Sequence, residues 1–217
     1  MELKNFLIFG PQGSGKGTQA DILAEKFNLV HIETGQIFRD MALADSELGR
    51  KIWDLNEKKE MVPDDITLEV LRFHLEKVPM EKGVIIDSAP RTPGQVAGVE
   101  KMLKEIGRDI DSAIYITLPY EESVERITKR FACQSCKKHF VLGKSILSQD
   151  DPCQECGGKI IQRTDDTPEG IRKRLDTFYE ITVPVIEYYR EKGILIEVDG
   201  RGSVSQVSDE ITKRLNG

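Results

Sequence analysis

Gly10-Pro11-Gln12-Gly13-Ser14-Gly15-Lys16-Gly17-Thr18 is the stretch around which the rest of the chain is organised. The apolar run at residues 6–9 precedes it, as expected of a strand buried on both faces. Apolar residues follow at helical spacing, which predicts a helix that begins near Ser14 or Gly15. A strand, a glycine-rich turn and a helix N-terminus form a cradle for phosphate groups, because glycines let backbone amides face an anion and the lysine adds a full positive charge.

The spacing Gly10-x4-Gly15-Lys16 fits the general P-loop pattern, with one irregularity. That pattern has Ser or Thr where Gly17 stands, and here the hydroxyl comes one place later, at Thr18. A glycine-rich turn with a surface lysine is the alternative interpretation. The flanking strand and helix favour the P-loop.

Composition describes an ordinary globular protein of 217 residues, with 31% charged and 39% hydrophobic residues. The net charge of −6 comes from 31 basic and 37 acidic residues, and it argues against broad nucleic-acid binding. The sequence has no apolar run of membrane-spanning length and no signal-peptide pattern, so we expect no membrane partner and a cytoplasmic location.

Short apolar runs alternate with helical stretches, which predicts a parallel sheet with helices on both faces, that is, an α/β fold of the P-loop NTPase kind. The predicted strands cover residues 6–9, 29–32, 84–86, 113–118 and 194–198. Ligands of such sheets bind at the carboxyl ends of the strands. Asp87 ends the third strand, so we expect it on the same rim as the P-loop.

Several helices carry start or stop signals. Residues 33–62 are short, helical and charged, and we interpret them as a small helical insertion. The next helix has Ile66, Val70 and Phe73 on one face, with Asp64 or Asp65 as its cap. A later helix begins at Thr167-Pro168, with a kink predicted at Pro184, and a last helix starts near Ser203.

Basic residues recur near the predicted rim. Arg91 and Gln95 lie in a loop stiffened by two prolines, although an isolated loop arginine is more often a solvated charge. Arg126 and Arg130 are one helical turn apart. The run 172–174 (Arg-Lys-Arg) lies in the first turns of a helix, where cations are unfavourable, so we interpret it as held for phosphates rather than as a solvated basic patch.

Two CxxC knuckles lie between these basic residues: Cys133-x2-Cys136 and Cys153-x2-Cys156. Two knuckles close a tetrahedral four-thiolate site, with zinc–sulfur distances of about 2.3 Å and no open position, so the site should be structural. A redox pair or buried thiols are the alternatives. The segment between the knuckles is too short for its own core, so zinc would supply its folding energy.

Together these residues resemble the adenylate kinase family of nucleoside monophosphate kinases, in its long form with a zinc-bearing lid. The similarity covers essentially the whole chain. It rests on residues 10–19, Thr34-Gly35 with Arg39, Asp87 with Pro90-Arg91-Thr92 and Gln95, Arg126 and Arg130, both knuckles, and Arg163-x-Asp165-Asp166 with residues 172–174. A displaced Thr18 is normal for that family.

The resemblance implies reversible phosphoryl transfer from Mg-ATP to AMP, giving two ADP, by a protein that is a monomer by family default. The core would span about 1–32, 63–128 and 167–217, the acceptor-binding region about 33–62 and the lid about 129–166. Asp87 would orient the waters on Mg²⁺. The donor would be held by Gly13, Ser14, Gly15, Lys16, Gly17, Thr18, Arg126 and Arg130. The acceptor and the transferred group would be bound by Thr34, Arg39, Val62, Arg91, Gln95, Arg163 and Arg174. Catalytic cations would be Lys16, Arg91, Arg130, Arg163 and Arg174.

The chain departs from the family pattern near the acceptor. Ser88-Ala89 replaces the usual Gly-Phe, Gln36 replaces Asp, and Lys59 replaces Gly. We therefore expect looser or altered acceptor selectivity, as in another or a broad-specificity nucleoside monophosphate kinase. A zinc-knuckle nucleic-acid-binding or regulatory ATPase is a more distant alternative. No catalytic role is expected for Trp53 or for the three histidines, His31, His74 and His139.

Overall fold

The computed structural model describes residues 4–58, 60–143, 145–146, 148, 150–162 and 166–216. No helix in these ranges is long and apolar enough to cross a membrane. Lys59, Arg163 and Asp165, which the sequence analysis singled out, lie outside the described residues.

A five-stranded parallel sheet forms the centre of the protein, in the order β2-β3-β1-β4-β8. A separate antiparallel sheet has the order β6-β5-β7. The strands are β1 (Asn5–Phe9), β2 (Leu29–Glu33), β3 (Gly83–Asp87), β4 (Ser112–Thr117), β5 (Arg130–Cys133), β6 (His139–Val141), β7 (Ile160–Ile161) and β8 (Leu195–Asp199). The predicted α/β class is confirmed, and all five predicted strands are present within one residue at each end.

Helices cover both faces of the central sheet. They are α1 (Lys16–Phe27), α2 (Thr34–Ala42), α3 (Glu47–Glu57), α4 (Asp64–Leu75), α5 (Pro93–Glu105), α6 (Tyr120–Thr128), α7 (Pro168–Thr177), α8 (Val183–Glu191) and α9 (Val204–Asn216). Helices α1 and α9 pack on one face, through Leu23 and Ile211 among others. Helices α4, α5 and α8 pack on the other face, through Leu71, Val99 and Ile186. Strands buried on both faces explain the continuous apolar runs of the sequence.

The carboxyl ends of β1, β2 and β3 lie at one edge, since all three strands are parallel and in register. The P-loop follows β1, α2 follows β2, and Asp87 ends β3. The short helices α2 and α3 pack on each other between β2 and α4, at the place where a helical insertion was predicted. The antiparallel sheet has its own small apolar cluster, which includes Phe131, Phe140 and Ile160.

Two details of α4 differ from expectation. Ile66 and Val70 are buried as predicted, but Phe73 is 56% exposed, and Leu71 and Leu75 complete the buried face instead. The prediction for Phe73 was wrong: its ring stays in contact with solvent and packs against the Lys77 ammonium, which lies 3.5 Å from the ring centroid. Pro63 is the N-cap residue of α4 and makes no side-chain hydrogen bond to the helix, so neither Asp64 nor Asp65 caps it.

The helix after Thr167 begins as predicted, with the Thr167 hydroxyl accepting a hydrogen bond from the amide of Gly170 and Pro168 in the first turn. The expected distortion near Pro184 is a π-helical turn, Phe178–Thr182, that lies before the proline. Pro184 falls in the first turn of α8. Because proline has no N–H to offer the preceding turn, the widened turn comes immediately N-terminal to it.

Candidate functional site

The P-loop joins β1 to α1 and leaves its amides open. Gly13 and Gly15 have φ angles of 83° and 91°, which only glycine adopts without strain. Gly15 is the N-cap of α1 and has no side chain to occupy the first amides of the helix. These amides, with the positive end of the helix dipole, form an anion site.

Two buried polar atoms of the loop lack a hydrogen-bond partner among the described residues: Ser14 Oγ and Gln12 Oε1. Ser14 is only 3% exposed. Buried polar atoms are nearly always satisfied in native proteins, so both atoms indicate a ligand that completes the loop.

Lys16 opens α1 beside several other charges. Partial burial lowers the pKa of Lys16, and the nearby guanidinium groups of Arg91 and Arg130 lower it further, while Asp87 opposes the shift. A cation in this setting is stabilised by an added anion. The lysine is therefore poised for phosphate rather than being a solvated surface charge.

Asp87, at the end of β3, is 2% exposed. Its Oδ1 accepts a hydrogen bond from Ser88 Oγ at 2.7 Å, and its Oδ2 lies 3.7 Å from Nε2 of His31. Burial alone would raise the pKa of Asp87, but His31, Lys16 and Ser88 together lower it below the usual value. Asp87 is thus an ionised buried carboxylate beside the phosphate loop, which is what orienting the waters of Mg²⁺ requires.

The predicted acceptor residues meet around the start of α2. Thr34 Oγ1 donates to the carbonyl oxygens of Asp87 and Ser88, at 3.0 and 3.2 Å. Arg39 Nη2 donates to Glu33 Oε1 at 2.8 Å, and Gln36 Oε1 accepts from Arg39 Nε and Nη2 at 3.1 and 2.8 Å. Gln36 therefore takes part in holding Arg39 with a neutral amide.

Arg91 lies next to this group. Its Nε donates to the carbonyl oxygen of Ser88 at 2.8 Å. Burial lowers the pKa of Arg91, and the charges of Arg39 and Arg174 add to that shift against the opposing effect of Asp87. The charges of Arg39, Arg91 and Arg174 thus act on the same part of the site.

Gln95 and Val62 are the two uncharged residues predicted to bind the acceptor that remain to be placed. Gln95 is 1% exposed, its Nε2 donates to Asp64 Oδ1, and its Oε1 accepts from the backbone amide of Arg91, both at 2.8 Å. Asp64 is used in this contact and in one with Thr92 Oγ1 at 2.8 Å, rather than as a helix cap. Val62 is half-buried before α4, and its carbonyl oxygen faces the Thr67 hydroxyl at 3.5 Å.

Three arginines flank the antiparallel sheet. Arg126 Nη1 donates to the carbonyl oxygens of Gly13 and Gly200, at 3.4 and 2.9 Å, and so joins the P-loop to the end of β8. Arg130 and Arg174 both donate to the buried carboxylate of Asp166. The fourth predicted arginine, Arg163, lies outside the described residues.

The four cysteines meet at one point. Their Sγ atoms all lie within 4.8 Å of one another, and the pairs Cys133–Cys156 and Cys136–Cys153 are 3.5 and 3.6 Å apart. Four thiolates at about 2.3 Å from one zinc ion would lie about 3.8 Å apart, so the cluster fits tetrahedral zinc. Backbone amides, that of Cys136 first, lower the pKa of the Cys133 thiol and favour the thiolate.

Comparison with known proteins agrees with this geometry. A family model described as adenylate kinase matches residues 8–194. An adenylate kinase of Archaeoglobus fulgidus is 39% identical over 207 residues, covering 95% of each chain. The chain belongs to the adenylate kinase family. An adenylate kinase of Kosmotoga olearia is 39% identical over 211 residues (97% of this chain, 98% of the relative), and one of Thermosipho melanesiensis is 40% identical over 207 residues (95% and 97%).

Membership of the adenylate kinase family makes the chain a phosphotransferase that uses ATP and AMP, and the resemblance inferred from its motifs is confirmed. Sequence reasoning nevertheless missed three residues of the site. His31, given no role, lies between Asp21 and Asp87. Asp166, quoted without a role, pairs with two arginines. Ser88, which was expected to reshape the acceptor pocket, donates a hydrogen bond to Asp87 instead. No local sequence pattern predicts such contacts. The position of His31, two residues before the end of a strand near the P-loop, was a weak indication that it lies close to the site.

Proposed function

We propose that the protein catalyses transfer of the terminal phosphoryl group of Mg-ATP to AMP, with the donor on the P-loop and the acceptor beside α2. One observation carries this assignment of the site. Five cationic side chains from five separate parts of the chain converge on the carboxyl edge of the sheet: Lys16, Arg39, Arg91, Arg130 and Arg174. Transfer between two phosphorylated substrates needs this density of positive charge and no nucleophilic side chain.

The donor side consists of the loop amides and Lys16. Residues 13–18 would surround the β- and γ-phosphates, with Ser14 Oγ and Gln12 Oε1 gaining partners from the ligand or its waters. Arg126, whose guanidinium group is hydrogen-bonded to Gly13 and Gly200, would lie beside the donor base. Arg130 would lie on the phosphate side of the donor. Lys16 would move with the transferring group, because its ammonium is a mobile point charge.

The acceptor side is built on Arg39 and Arg91. Both guanidinium groups are held by neighbouring oxygens, so little side-chain entropy is lost when they bind the AMP phosphate. Thr34 and Val62 would contact the nucleoside. Gln95 would support the site by holding the backbone of Arg91 and the side chain of Asp64, since both ends of its amide are engaged.

The transferring group would lie between the two sides. Arg130, Arg163 and Arg174 would close over its equatorial oxygens, where charge accumulates in the transition state. Mg²⁺, when bound with ATP, would neutralise donor phosphate charge, and Asp87 would hold its waters. The ionised state of Asp87 supports this role.

Water competes with AMP as the acceptor, so the site must close during transfer. We propose residues 33–62 as the acceptor-binding region and 129–166 as the lid, both carried by the core formed from 1–32, 63–128 and 167–217. Cys133, Cys136, Cys153 and Cys156 would hold structural zinc and make the lid move as one rigid piece. Lys173 Nζ, which donates to the carbonyl oxygen of Lys58 at 3.1 Å, links the acceptor region to α7. We propose a monomer, since one chain supplies both halves of the site.

A panel of acceptors tests the proposal. Purified protein with Mg-ATP and AMP should form two ADP per turnover, without any nucleic acid. Absence of ADP formation would overturn the proposal. Release of inorganic phosphate with AMP left unconsumed, or a requirement for DNA or RNA, would overturn it in favour of the regulatory ATPase. Lys16→Met should reduce kcat about 10³-fold or more, while Lys26→Met, at the exposed end of the same helix, should not.

The same panel, extended to GMP, CMP and UMP, tests the looser selectivity expected from the departures near the acceptor. The structure changes the physical basis of that expectation. The Ser88 hydroxyl is bound to Asp87, and Ala89 is fully buried in the core cluster, so neither side chain adds a polar contact for a base. What remains is the small size of Ala89 where the family has an aromatic ring, which would loosen the packing behind the acceptor site and so weaken discrimination between purine and pyrimidine acceptors. A preference for AMP above about 10³-fold over all three would contradict it.

A further inference from the structure

Ser88 has a backbone conformation that a serine adopts rarely. Its φ angle is +67°, in the left-handed region where a Cβ atom crowds the backbone. Among the described residues other than glycine, only Asn28 and Lys137 share a positive φ. Asn28 ends α1, where asparagine is favoured, so its conformation has an ordinary explanation. Strain at Ser88 indicates that something else holds the residue there.

The side chain of Ser88 supplies a reason. Its Oγ donates to Asp87 Oδ1 at 2.7 Å, and Asp87 is almost completely buried. A hydrogen bond to a buried carboxylate is stronger than one between neutral groups. Oδ2 of the same carboxylate lies 3.7 Å from His31 Nε2, which is within ion-pair distance but too long for a hydrogen bond. The hydrogen bond from the Ser88 hydroxyl therefore restrains the rotation of the carboxylate about its Cβ–Cγ bond.

The backbone of Ser88 serves the acceptor side. Its carbonyl oxygen accepts from Arg91 Nε at 2.8 Å and from Thr34 Oγ1 at 3.2 Å. Its amide donates to the carbonyl oxygen of Ile8, at the end of β1, at 3.3 Å. One residue thus contacts the carboxylate of the donor side, two groups of the acceptor side and the strand that leads into the P-loop.

We propose that Ser88 is a positioning residue that aims the Asp87 carboxylate with its side chain and the Arg91 guanidinium with its carbonyl group. The two halves of the phosphoryl-transfer site are set relative to each other by a single strained backbone conformation. This inference rests on the roles given above to Asp87 and Arg91.

Two substitutions separate the hydroxyl from the backbone. Ser88→Gly removes the hydroxyl but adopts the same φ easily, so the carbonyl should stay in place for Arg91. Ser88→Ala removes the hydroxyl and keeps the crowded Cβ. We expect kcat to fall about tenfold in both variants, because Asp87 is no longer aimed. In Ser88→Gly the KM for AMP should stay within about twofold of wild type, since Arg91 keeps its partner.

Two measurements do not depend on turnover. In protein free of metal and nucleotide, Ser88→Ala should unfold at a lower temperature than wild type and than Ser88→Gly, because it alone keeps the strain without the hydrogen bond. AMP binding by calorimetry should match wild type in Ser88→Gly. Asn28→Ala is the control. It places alanine, which lacks the side-chain amide of asparagine, at another position with a left-handed backbone, so it should lower stability without changing kcat.

The outcomes are distinct. A wild-type kcat in Ser88→Gly would overturn the positioning role. The role would also be overturned if the KM for AMP rose while kcat stayed unchanged, because only the acceptor side would then be disturbed. Failure of the wild-type protein itself to form ADP from Mg-ATP and AMP would instead reject the proposed function. A tenfold lower kcat with unchanged AMP binding supports the inference.

Discussion

Arg130 and Asp166 form a two-pronged ion pair: Arg130 Nε lies 3.0 Å from Oδ2, and Nη2 lies 2.7 Å from Oδ1. Arg174 Nη2 reaches the same Oδ1 at 2.7 Å. The Asp166 side chain is fully buried, while those of Arg130 and Arg174 are 15% and 22% exposed. One carboxylate therefore keeps two like charges together, one from β5 and one from α7.

Asp166→Asn should lower both activity and stability. An amide has one acceptor oxygen and no charge, so at least one guanidinium loses its partner and the two cations repel. We expect the free energy of unfolding to fall by about 1–3 kcal/mol and kcat to fall about tenfold. Urea unfolding and steady-state rates measure the two effects.

Glu169→Gln is the matched control for Asp166→Asn. It removes an exposed carboxylate from the first turn of α7, three residues from Asp166, and should change stability by about 0.5 kcal/mol or less. Wild-type kcat in Asp166→Asn would mean that the arginines do not need this carboxylate for their orientation.

His31 should make stability depend on pH in protein without Mg²⁺ or nucleotide. Burial alone would lower the pKa of His31, but Asp21 on α1 and Asp87 on β3, which itself lies near Lys16, raise it from 6.5 to about 9. A raised folded-state pKa gives stability that is complete below pH 6.5 and is lost as the pH rises toward 9. A rise of the pKa from 6.5 to about 9 corresponds to at most about 3 kcal/mol. Because the Asp21 side chain is 74% exposed, solvent screening should reduce the loss across this range to about 1–2 kcal/mol.

The comparison of His31→Gln with wild type isolates this contribution. Unfolding free energies measured from pH 6 to about 9.5 should be flatter for His31→Gln, whose side chain does not titrate. Equal slopes in wild type and His31→Gln would contradict a protonated His31 in the folded protein.

The parts of the site predicted from the sequence are those encoded locally. The P-loop, both cysteine knuckles and the Thr167 cap each depend on residues within a few positions of one another, so spacing alone defines them. The alternation of apolar strands with helices likewise predicted the central sheet.

Contacts between distant segments could not be predicted in this way. Asp166 meets Arg130 across 36 positions, and Arg108 meets Asn5 across 103. Such pairs depend on how the elements pack, which no local pattern contains. The conformation of Ser88 is a local feature, but a serine does not predict a positive φ. The usual rule expects a left-handed backbone at glycine, so it does not identify Ser88.

Zinc should be bound at about one ion per chain, because the four sulfur atoms already lie within 4.8 Å of one another. Cys136→Ser, or treatment with a strong chelator, should remove the metal and lower the unfolding temperature by roughly 5 °C or more, since the small cluster around Phe131 and Phe140 has little apolar surface of its own. Metal analysis and calorimetry check both points. Ser135→Ala, in the same knuckle but without a ligand atom, should bind zinc normally; a metal-free protein with full thermal stability would refute the structural role.

Arg108 should affect stability without affecting catalysis. It is 4% exposed, and its guanidinium donates to Asn5 Oδ1 and to the carbonyl oxygens of Lys82 and Pro79, at 3.2, 2.6 and 2.9 Å. These groups lie where β1 and β3 begin, at the end of the sheet opposite the P-loop.

Arg108→Met removes three donors and leaves buried oxygens without partners, so the free energy of unfolding should fall by about 2–4 kcal/mol. Because the carboxyl edge of the sheet keeps its residues, kcat and both KM values should stay within about twofold of wild type at a temperature where the variant is folded. Arg72→Met breaks an ion pair with Glu105 whose side chains are 43% and 41% exposed, and should cost about 0.5 kcal/mol or less. A lower kcat in Arg108→Met but not in Arg72→Met would show that the two ends of the sheet are coupled. That result would contradict the prediction that Arg108 affects stability without affecting catalysis.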